Sequence, residues 1–199
     1  MKNGTFKDIL TLTIKLFVIC LIVSGILAYV NSLTAPVISE NEAKNFEASM
    51  SELLPEAKEF EKLEDIAVIS QGTGVSFESA YRGINDDQAC GYVVSTVCHE
   101  GYGGDISVMV SITEELEVKE VKIMSMAETA GLGAKASNPE FLAQYSSLSG
   151  EIGVEKNNGG NPDNNTISAI SGATKTSKAV TKAVNFALEV IENGGGANE

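Results

Sequence analysis

The longest apolar stretch of the chain lies near its N-terminus. No charged residue occurs between residues 16 and 39, and residues 16–30 are almost entirely apolar. About 20 apolar residues in a helix cross the hydrocarbon layer of a membrane. Residues 9–33 have this length if the amino group of Lys15 reaches the near interface. The pattern predicts a transmembrane helix over residues 9–33.

Charges on the two sides of this stretch indicate its orientation. Three of the first 15 residues are lysines, whereas the first basic residue after the stretch is Lys44, which follows Glu40 and Glu42. The positive-inside rule places residues 1–8 in the cytoplasm and the rest of the chain on the outer face of the cell (inner) membrane. A cleaved signal peptide is the alternative, but the stretch has no clear small-x-small cleavage site.

Beyond this stretch the pattern becomes that of a helix and then that of strands. Residues 37–60 are predicted to form a helix, with Pro36 in its first turn and Pro55 dividing it, and residues 34–65 are assigned to a helical connector. Alternating apolar positions, or segments rich in Val and Thr, predict strands in four places: residues 75–81, 91–98, 106–112 and 118–126.

The last two of these strands are joined by a connection too short for a parallel crossover, so we expect antiparallel neighbours. A shift of the apolar positions between Val118 and Val121 indicates a β-bulge near Glu120.

The C-terminal part is predicted to be mainly helical. A short helix is expected from residue 138 or 139 to residue 145, and a polar loop over residues 157–165. The strongest helix has an apolar stripe from Ala179 to Ile191 and stops at Gly194–Gly196. The predicted fold class is α+β: one transmembrane helix, then one mixed α+β domain over residues 66–199 with antiparallel strands and a C-terminal helix.

Composition and charge exclude several classes of protein. The 199 residues carry a net charge of −13; residues 31–199 hold 26 of the 27 acidic and 11 of the 14 basic residues, a net charge of −15. A nucleic-acid-binding role is excluded, because neutralising phosphates needs a basic face. Three cysteines and one histidine give poor support to a disulfide scaffold, a cysteine-ligated iron–sulfur cluster or a four-ligand zinc site.

The cysteines and the histidine are interpreted as structural. Cys90 and Cys98 lie on one predicted strand, where both would face the same side about 26 Å apart at 3.3 Å per residue, too far to form a disulfide. We interpret them as small core residues, and His99 as a solvated or hydrogen-bonded side chain rather than a catalytic one.

The start of the C-terminal helix is the most informative segment for chemistry. Residues 170–177 (Ile-Ser-Gly-Ala-Thr-Lys-Thr-Ser) place small and hydroxyl side chains at a helix N-terminus, where free backbone N–H groups and the helix dipole attract anions, above all phosphate. Lys175 and Lys178 lie where the dipole disfavours cations, and a bound phosphate would remove that conflict. Ordinary N-capping by Ser171 or Thr174 is the alternative.

Two glycine-containing segments are further candidates for ligand contact. Residues 128–133 (Glu-Thr-Ala-Gly-Leu-Gly) follow a predicted strand, and residues 101–104 (Gly-Tyr-Gly-Gly) precede one. Glycine permits a positive φ or a close backbone approach to a ligand. Each segment is equally compatible with a plain glycine turn.

Four segments in order resemble the covalent-FMN domain family, which includes the G subunit of the Rnf complex and the C subunit of sodium-pumping NADH:quinone reductase. Residues 171–174 (Ser-Gly-Ala-Thr) followed by Thr176 resemble its flavinylation motif. Residues 128–133 resemble its Glu-Thr-Pro-Gly-Leu-Gly segment, with Ala130 in place of proline. Residues 101–104 and 33–38 also match the family pattern. The resemblance covers nearly the whole chain, and the short length favours the Rnf G subunit.

This resemblance implies a covalently bound FMN. In the family, an exported ApbE-type flavin transferase moves FMN from FAD onto the motif threonine, which implies a phosphoester through the Oγ of Thr174. No catalytic acid or base and no metal ligand is expected. The residues expected to line or contact the cofactor are Ser171, Gly172, Ala173, Lys175, Thr176, Glu128, Thr129, Gly131, Leu132, Gly133 and Tyr102.

One position departs from the family pattern. The family usually has an aspartate three residues before the first motif residue, where this chain has Ser168. If that aspartate helps the transferase to recognise its target, modification of this chain would be slower or incomplete.

The function implied by the resemblance is electron transfer. The chain would be a membrane-anchored, FMN-carrying subunit of an Rnf-type complex that passes electrons between ferredoxin and NAD and exports Na⁺ or H⁺ through larger membrane subunits. The alternatives are the C subunit of a sodium-pumping quinone reductase, a stand-alone extracytoplasmic flavoprotein, or an anchored sensor or binding domain without flavin. The implied partners are the other Rnf membrane subunits, the flavin transferase and membrane lipid.

Overall fold

The computed structural model of the chain describes residues 3–64, 74–86, 88–156 and 159–194. The chain divides into two compact units, residues 1–48 and residues 49–199. The predicted boundary between connector and domain, at residues 65–66, lies outside the described residues.

The N-terminal element is one long helix, α1 (Asn3–Leu53). From Asp8 onward it is long and apolar enough to cross a membrane, and its large apolar side chains between Ile9 and Ile38 are exposed. The predicted separate helix over residues 37–60 is wrong. α1 continues through Pro36 and ends two residues before Pro55, whose ring disfavours a helical conformation in the residue before it.

Within the described residues, the main sheet has five strands in chain order: β1 (Glu59–Lys62), β2 (Val75–Asn85), β3 (Gln88–Cys98), β4 (Ile106–Ile112) and β5 (Val118–Met126). All neighbours are antiparallel, as predicted for the pair β4 and β5. β1 occupies residues that were predicted to be helical. The bulge near Glu120 is confirmed, because Ser111 pairs with Glu120 and Ile112 with Val118, which leaves Lys119 as the extra residue.

Two bulges between β2 and β3 change which side chains share a face. In β2 the register shifts between Phe77 and Ser79. After this shift Ala80 faces the main core, whereas the alternation in the sequence predicted Ser79 and Tyr81 on the same face as Val75. A second shift after Gly83 leaves Cys90 without a partner in β2.

The prediction of a core residue is confirmed for Cys98 but not for Cys90, and the two thiols are free, as predicted. Cys98 is fully buried in the main core, where burial raises the pKa of its thiol. Cys90 is partly exposed, and its Sγ lies beside Gly83, next to Leu54 and Ala57. The prediction that both face the same side is wrong because the bulge reverses the alternation between them.

A helix covers one face of the sheet, and the residues at the end of α1 pack on the other. The C-terminal helix α3 (Thr174–Gly194) packs on one face, where its apolar stripe joins Val94, Val108 and Val110 in the main core. On the other face, Leu53 and Leu54 at the end of α1 are fully buried. Leu54 lies in a notch between Gly83 and Gly91, which pair with each other and where any Cβ would contact its methyl groups.

Short elements connect the sheet to α3. They are α2 (Pro139–Leu142), flanked by 3-10 turns over Gly133–Ser137 and Ala143–Tyr145, and the parallel pair β6 (Gly153–Glu155) and β7 (Thr166–Ser168), with a 3-10 turn at Pro162–Asn164 between them. The predicted short helix and the C-terminal helix are confirmed, whereas the parallel pair was not predicted. Residues 157–158 of the predicted polar loop and residues 195–199 lie outside the described residues.

Candidate functional site

Three segments singled out by the sequence meet at one end of the sheet. They are the turn between β3 and β4 (residues 101–104), the loop after β5 (residues 127–133) and the start of α3. Together they enclose a cavity of about 290 Å³. Its lining residues are Tyr102, Glu128, Thr129, Leu132, Gly133, Gly172, Ala173, Lys175 and Thr176. Nine of the twelve predicted site residues are thus brought together.

Glu128 connects the three segments through its carboxylate. Oε1 accepts hydrogen bonds from the backbone N–H groups of Tyr102 at 2.8 Å and Gly103 at 3.2 Å. Oε2 accepts a hydrogen bond from the hydroxyl of Thr176 at 3.0 Å. Hydrogen bonds to a charged acceptor are stronger than neutral ones, so this carboxylate fixes the relative position of the segments.

Two glycines make the close packing of these segments possible. A Cβ at Gly133 would overlap Oε2 of Glu128 and lie 2.8 Å from Oγ1 of Thr176. Gly172 has a φ of +79°, and a Cβ there would lie 3.1 Å from the side chain of Leu132. Larger residues at these two positions would displace the Glu128 contacts or narrow the cavity.

The start of α3 is held by Ser177 rather than by either predicted cap. The Ser177 hydroxyl accepts a hydrogen bond from the N–H of Ile170 at 2.9 Å and donates one to the carbonyl of Ala173 at 3.1 Å. Because α3 begins at Thr174, Ala173 occupies the cap position, and ordinary N-capping by Ser171 or Thr174 is wrong. The sequence analysis did not predict this role of Ser177. A hydroxyl residue four positions after the cap can donate to the carbonyl of the cap residue, and this spacing was the available signal.

Two exposed side chains stand at the cavity mouth. Tyr102 is 71% exposed and Leu132 is 45% exposed, although both line the cavity. The Nζ of Lys175 lies 6.0 Å from the centre of the Tyr102 ring, a cation–π contact. An aromatic ring and a leucine that face solvent beside a cavity offer apolar surface to a flat ligand.

Three predicted site residues do not line this cavity. Thr174 is half-buried and lies between Ala173 and Lys175, which do line it. Gly131, with a φ of +79°, shapes the loop after β5. Ser171 is exposed and lines a second cavity of about 280 Å³.

Ser168 also lines this second cavity, and its polar groups are hydrogen-bonded. Its Oγ accepts a hydrogen bond from the N–H of Gly160 at 3.0 Å, and its own N–H donates to Oε1 of Gln144 at 2.8 Å. The side chain thus holds the loop before β7 by accepting a hydrogen bond, which an aspartate at this position would also be able to do.

The interpretation of His99 as a hydrogen-bonded side chain agrees with the structure. Its ring nitrogens lie 3.1 Å from the Oγ of Ser76 and 3.0 Å from Oδ1 of Asp105, and the ring is half-exposed. Within the described residues, no group of three or more His, Cys, Asp or Glu side chains is placed to hold a metal ion.

The arrangement suits a ligand with a flat ring and an anionic group. Apolar side chains and glycine backbone offer surface for a ring, and the first turn of α3 presents backbone N–H groups that have no acceptor within the helix. The helix dipole adds positive potential at the same point. The cavity volume is near the lower end of the range for small-molecule sites.

Comparisons with known proteins match both parts of the chain. A family model described as the RnfG N-terminal region matches residues 1–53, and one described as an FMN-binding domain matches residues 101–189. The G subunit of the Na⁺-translocating ferredoxin:NAD⁺ oxidoreductase complex of Acetobacterium woodii is 33% identical over 94% of each chain. The proton-translocating counterpart of Clostridium ljungdahlii is 31% identical over 96% of this chain and 95% of the relative.

Two solved structures share the fold. NqrC of Shewanella oneidensis has a TM-score of 0.51 at 18% identity, covering 65% of this chain and 71% of that one. The C subunit of the Na⁺-translocating NADH–quinone reductase from Parabacteroides distasonis has a TM-score of 0.52 at 20% identity, covering 62% and 64%.

Proposed function

Because this chain belongs to the family of G subunits of ion-translocating ferredoxin:NAD⁺ oxidoreductase complexes, we propose that it is the membrane-anchored electron-transfer subunit of such a complex and carries FMN. The observation that carries the proposal is the convergence of three separate segments on one cavity within residues 101–189, the part matched by the FMN-binding domain model. Bound FMN supplies reversible one- and two-electron transfer.

The residues around the cavity fit FMN. Tyr102 and Leu132 present exposed apolar surface for the ring system, and the first turn of α3 is suited to the phosphate. Lys175, whose amino group lies near the Tyr102 ring, adds a positive charge at the same mouth. The chain's own residues bind and orient the cofactor, and electron transfer requires no acid or base from them.

We further propose that Thr174 carries the FMN through a phosphoester of its Oγ. Its place as the first residue of α3 would put a phosphate on Oγ next to the free N–H groups of that turn. Its position beside the cavity, rather than in its wall, suits an attachment point from which the rest of the cofactor reaches inward. A covalent link prevents loss of the cofactor between electron transfers.

The proposed placement in the cell follows from α1 and from the lysines that precede it. α1 is long and apolar enough to span a membrane, and the positive-inside rule puts residues 1–8 in the cytoplasm and the FMN domain on the outer face. The expected partners are membrane lipid, the other subunits of the complex and an exported ApbE-type flavin transferase. Digestion of intact spheroplasts by an external protease should remove residues 49–199; complete protection would contradict this orientation.

Ion selection is proposed to belong to other subunits. Relatives named for Na⁺ and for proton translocation match this chain at 33% and 31% identity over nearly its full length. These two relatives are about equally similar to this chain, yet they serve complexes that move different ions. In addition, the described residues of this chain contain one candidate spanning helix, which leaves little protein in the membrane for an ion path.

Of the alternatives, the C subunit of a quinone reductase shares the fold with this chain at 18% and 20% identity. The relatives at 33% and 31% identity over nearly the full length are G subunits, which favours the proposed assignment. A sensor without flavin would leave the match to the FMN-binding domain model unexplained.

The proposal is tested by denaturing electrophoresis of the full chain after co-expression with a flavin transferase and export. Denaturation removes FMN that is not covalently bound, so a fluorescent band identifies a covalent flavoprotein. A dark band from folded, exported protein would contradict covalent attachment.

The Ser168→Asp variant tests the departure from the family pattern. If the wild type is only partly modified, we expect this variant to raise the flavin-carrying fraction in the intact mass spectrum, because the aspartate keeps the hydrogen bond from Gly160 and adds the expected recognition group. Ser168→Ala is the matched control and should not raise it. An unchanged fraction in Ser168→Asp would show that the side chain at this position does not limit modification.

A further inference from the structure

Glu128 is bound by both of the other cavity walls. Its Oε1 accepts from the Tyr102 and Gly103 N–H groups of the β3–β4 turn, and its Oε2 accepts from the Thr176 hydroxyl of α3. Glu128 itself lies in the loop after β5 and lines the cavity. One carboxylate therefore joins three segments that are far apart in the sequence.

Within the described residues no cation forms an ion pair with this carboxylate, although Lys175 lines the same cavity. The three hydrogen-bond donors to the carboxylate are neutral. Neutral N–H and O–H dipoles stabilise a carboxylate but leave its net charge in place. The three hydrogen bonds therefore fix the negative charge of Glu128 at a defined position in the cavity wall.

We propose that Glu128 is a positioning residue that joins the three walls of the cavity and keeps a negative charge beside the FMN ring, which makes the FMN harder to reduce. The inference rests on the proposed function. Reduction adds electrons to the ring, and a nearby fixed negative charge opposes this by Coulomb repulsion, which is stronger at a partly desolvated wall than in water. Charge near the ring is one of the means by which a protein sets a flavin's potential.

The charge is tested by Glu128→Gln in the full-length, flavin-loaded protein in detergent micelles. Glutamine keeps the shape and one acceptor oxygen for the Tyr102 and Gly103 N–H groups, while its amide can donate to the Thr176 oxygen. We expect the FMN midpoint potential to shift to a more positive value in a spectroelectrochemical titration. An unchanged potential would overturn the electrostatic role.

The matched control is Glu192→Gln, which removes the same charge from the other end of α3. Eighteen residues of helix separate positions 174 and 192, about 27 Å at 1.5 Å per residue, and Glu192 is exposed. At this distance screening by salt suppresses the interaction, so the potential should match that of the wild type. An equal shift in both variants would attribute the effect to net charge and overturn the inference.

The joining role is tested without flavin by hydrogen exchange of the full chain. We expect the amides of Tyr102 and Gly103 to be protected in the wild type, to stay protected in Glu128→Gln and to lose protection in Glu128→Ala. Unchanged protection in Glu128→Ala would overturn the joining role.

The two measurements separate failure of this inference from failure of the proposed function. A wild type that takes up no FMN contradicts the proposed function, while the exchange comparison still decides the joining role. If only Glu128→Gln fails to take up FMN, the charge is required for binding rather than for setting the potential, which overturns the electrostatic role. The exchange comparison of Glu128→Ala with the wild type still decides the joining role.

Discussion

Of the two glycines that line the cavity, Gly133 has less room for a side chain than Gly172. A Cβ at Gly133 would meet Glu128 and Thr176, the two side chains whose hydrogen bond joins the loop after β5 to α3. The sequence indicated that glycines in this segment matter for backbone approach. It did not indicate that Gly133 makes room for a carboxylate of its own segment, because the fold alone brings Thr176 to that place.

Replacing Gly133 with alanine should therefore lower FMN uptake, because the methyl group separates Glu128 from Thr176. Gly150→Ala is the control for a general loss of stability. The φ of +63° at Gly150 disfavours alanine, but a Cβ there meets no neighbour within 4 Å. Both variants should lose stability, Gly150→Ala by about 1 kcal/mol from backbone strain, and only Gly133→Ala should lose flavin. Equal flavin content in the two variants, measured by absorbance per protein, would contradict this.

At the scale of elements, apolar packing holds the end of α1 against the sheet more strongly than the ion pairs beside it. Leu53 and Leu54 are fully buried, whereas Glu52 and Glu56 form partly exposed pairs with Lys122 and Lys119. Exposed ion pairs contribute little because solvent and salt screen them.

Leu54→Ala should cost about 2–5 kcal/mol, since it empties the notch between Gly83 and Gly91. Lys122→Ala should cost less than about 1 kcal/mol. Denaturant unfolding of the two variants measures the difference. A larger loss in Lys122→Ala than in Leu54→Ala would show that the ion pairs, and not the leucines, hold this end of α1.

A buried tyrosine joins the 3-10 turn at Ala143–Tyr145 to α3 and makes stability depend on pH. Tyr145 is fully buried, its hydroxyl lies 2.8 Å from Oγ1 of Thr181, and burial raises the pKa of its phenol far above the ordinary value of 10. A raised pKa in the folded state means that stability is fully present below pH 10 and falls as the pH rises above it.

Tyr145→Phe should be about 1 kcal/mol less stable than the wild type at pH 8, because it loses one hydrogen bond. At pH 11 the wild type should lose about 1.4 kcal/mol of stability, because only its unfolded state gains by ionising this phenol. The phenylalanine variant has no such loss, so the wild type's advantage should disappear or reverse. Thermal unfolding at the two pH values measures it. An equal difference at both would contradict the buried, neutral phenol.

Much of the element order could be predicted from the sequence, because long apolar runs and strict alternation leave few alternatives. The long apolar N-terminal helix, the strand pair β4–β5 with its bulge and the C-terminal helix are examples. The bulges in β2 and β3 were not predictable, since each depends on the register of a partner strand. β1 and the parallel pair β6–β7 have three or four residues each, too few for a pattern to develop.

At the scale of the whole molecule, the chain combines a candidate membrane anchor with a domain that contains the candidate FMN site. The nine residues that line the cavity were all named from the sequence, because the motif segments carry the family resemblance. The geometry of the site was not predictable, because the contacts of Glu128 and the role of Ser177 depend on how distant segments pack.

The most direct test of covalent FMN on Thr174 is peptide mass mapping of the flavin-loaded full chain, in the wild type and in Thr174→Ala. We expect the wild-type peptide containing Thr174 to gain the mass of one FMN less one water. Thr174→Ala should fold but gain nothing, while Thr174→Ser, which keeps a hydroxyl, should recover some of the modification. Thr174 is half-buried and is not the helix cap, so the alanine variant should stay folded. FMN mapped to another residue, or retained in Thr174→Ala, would contradict attachment at Thr174.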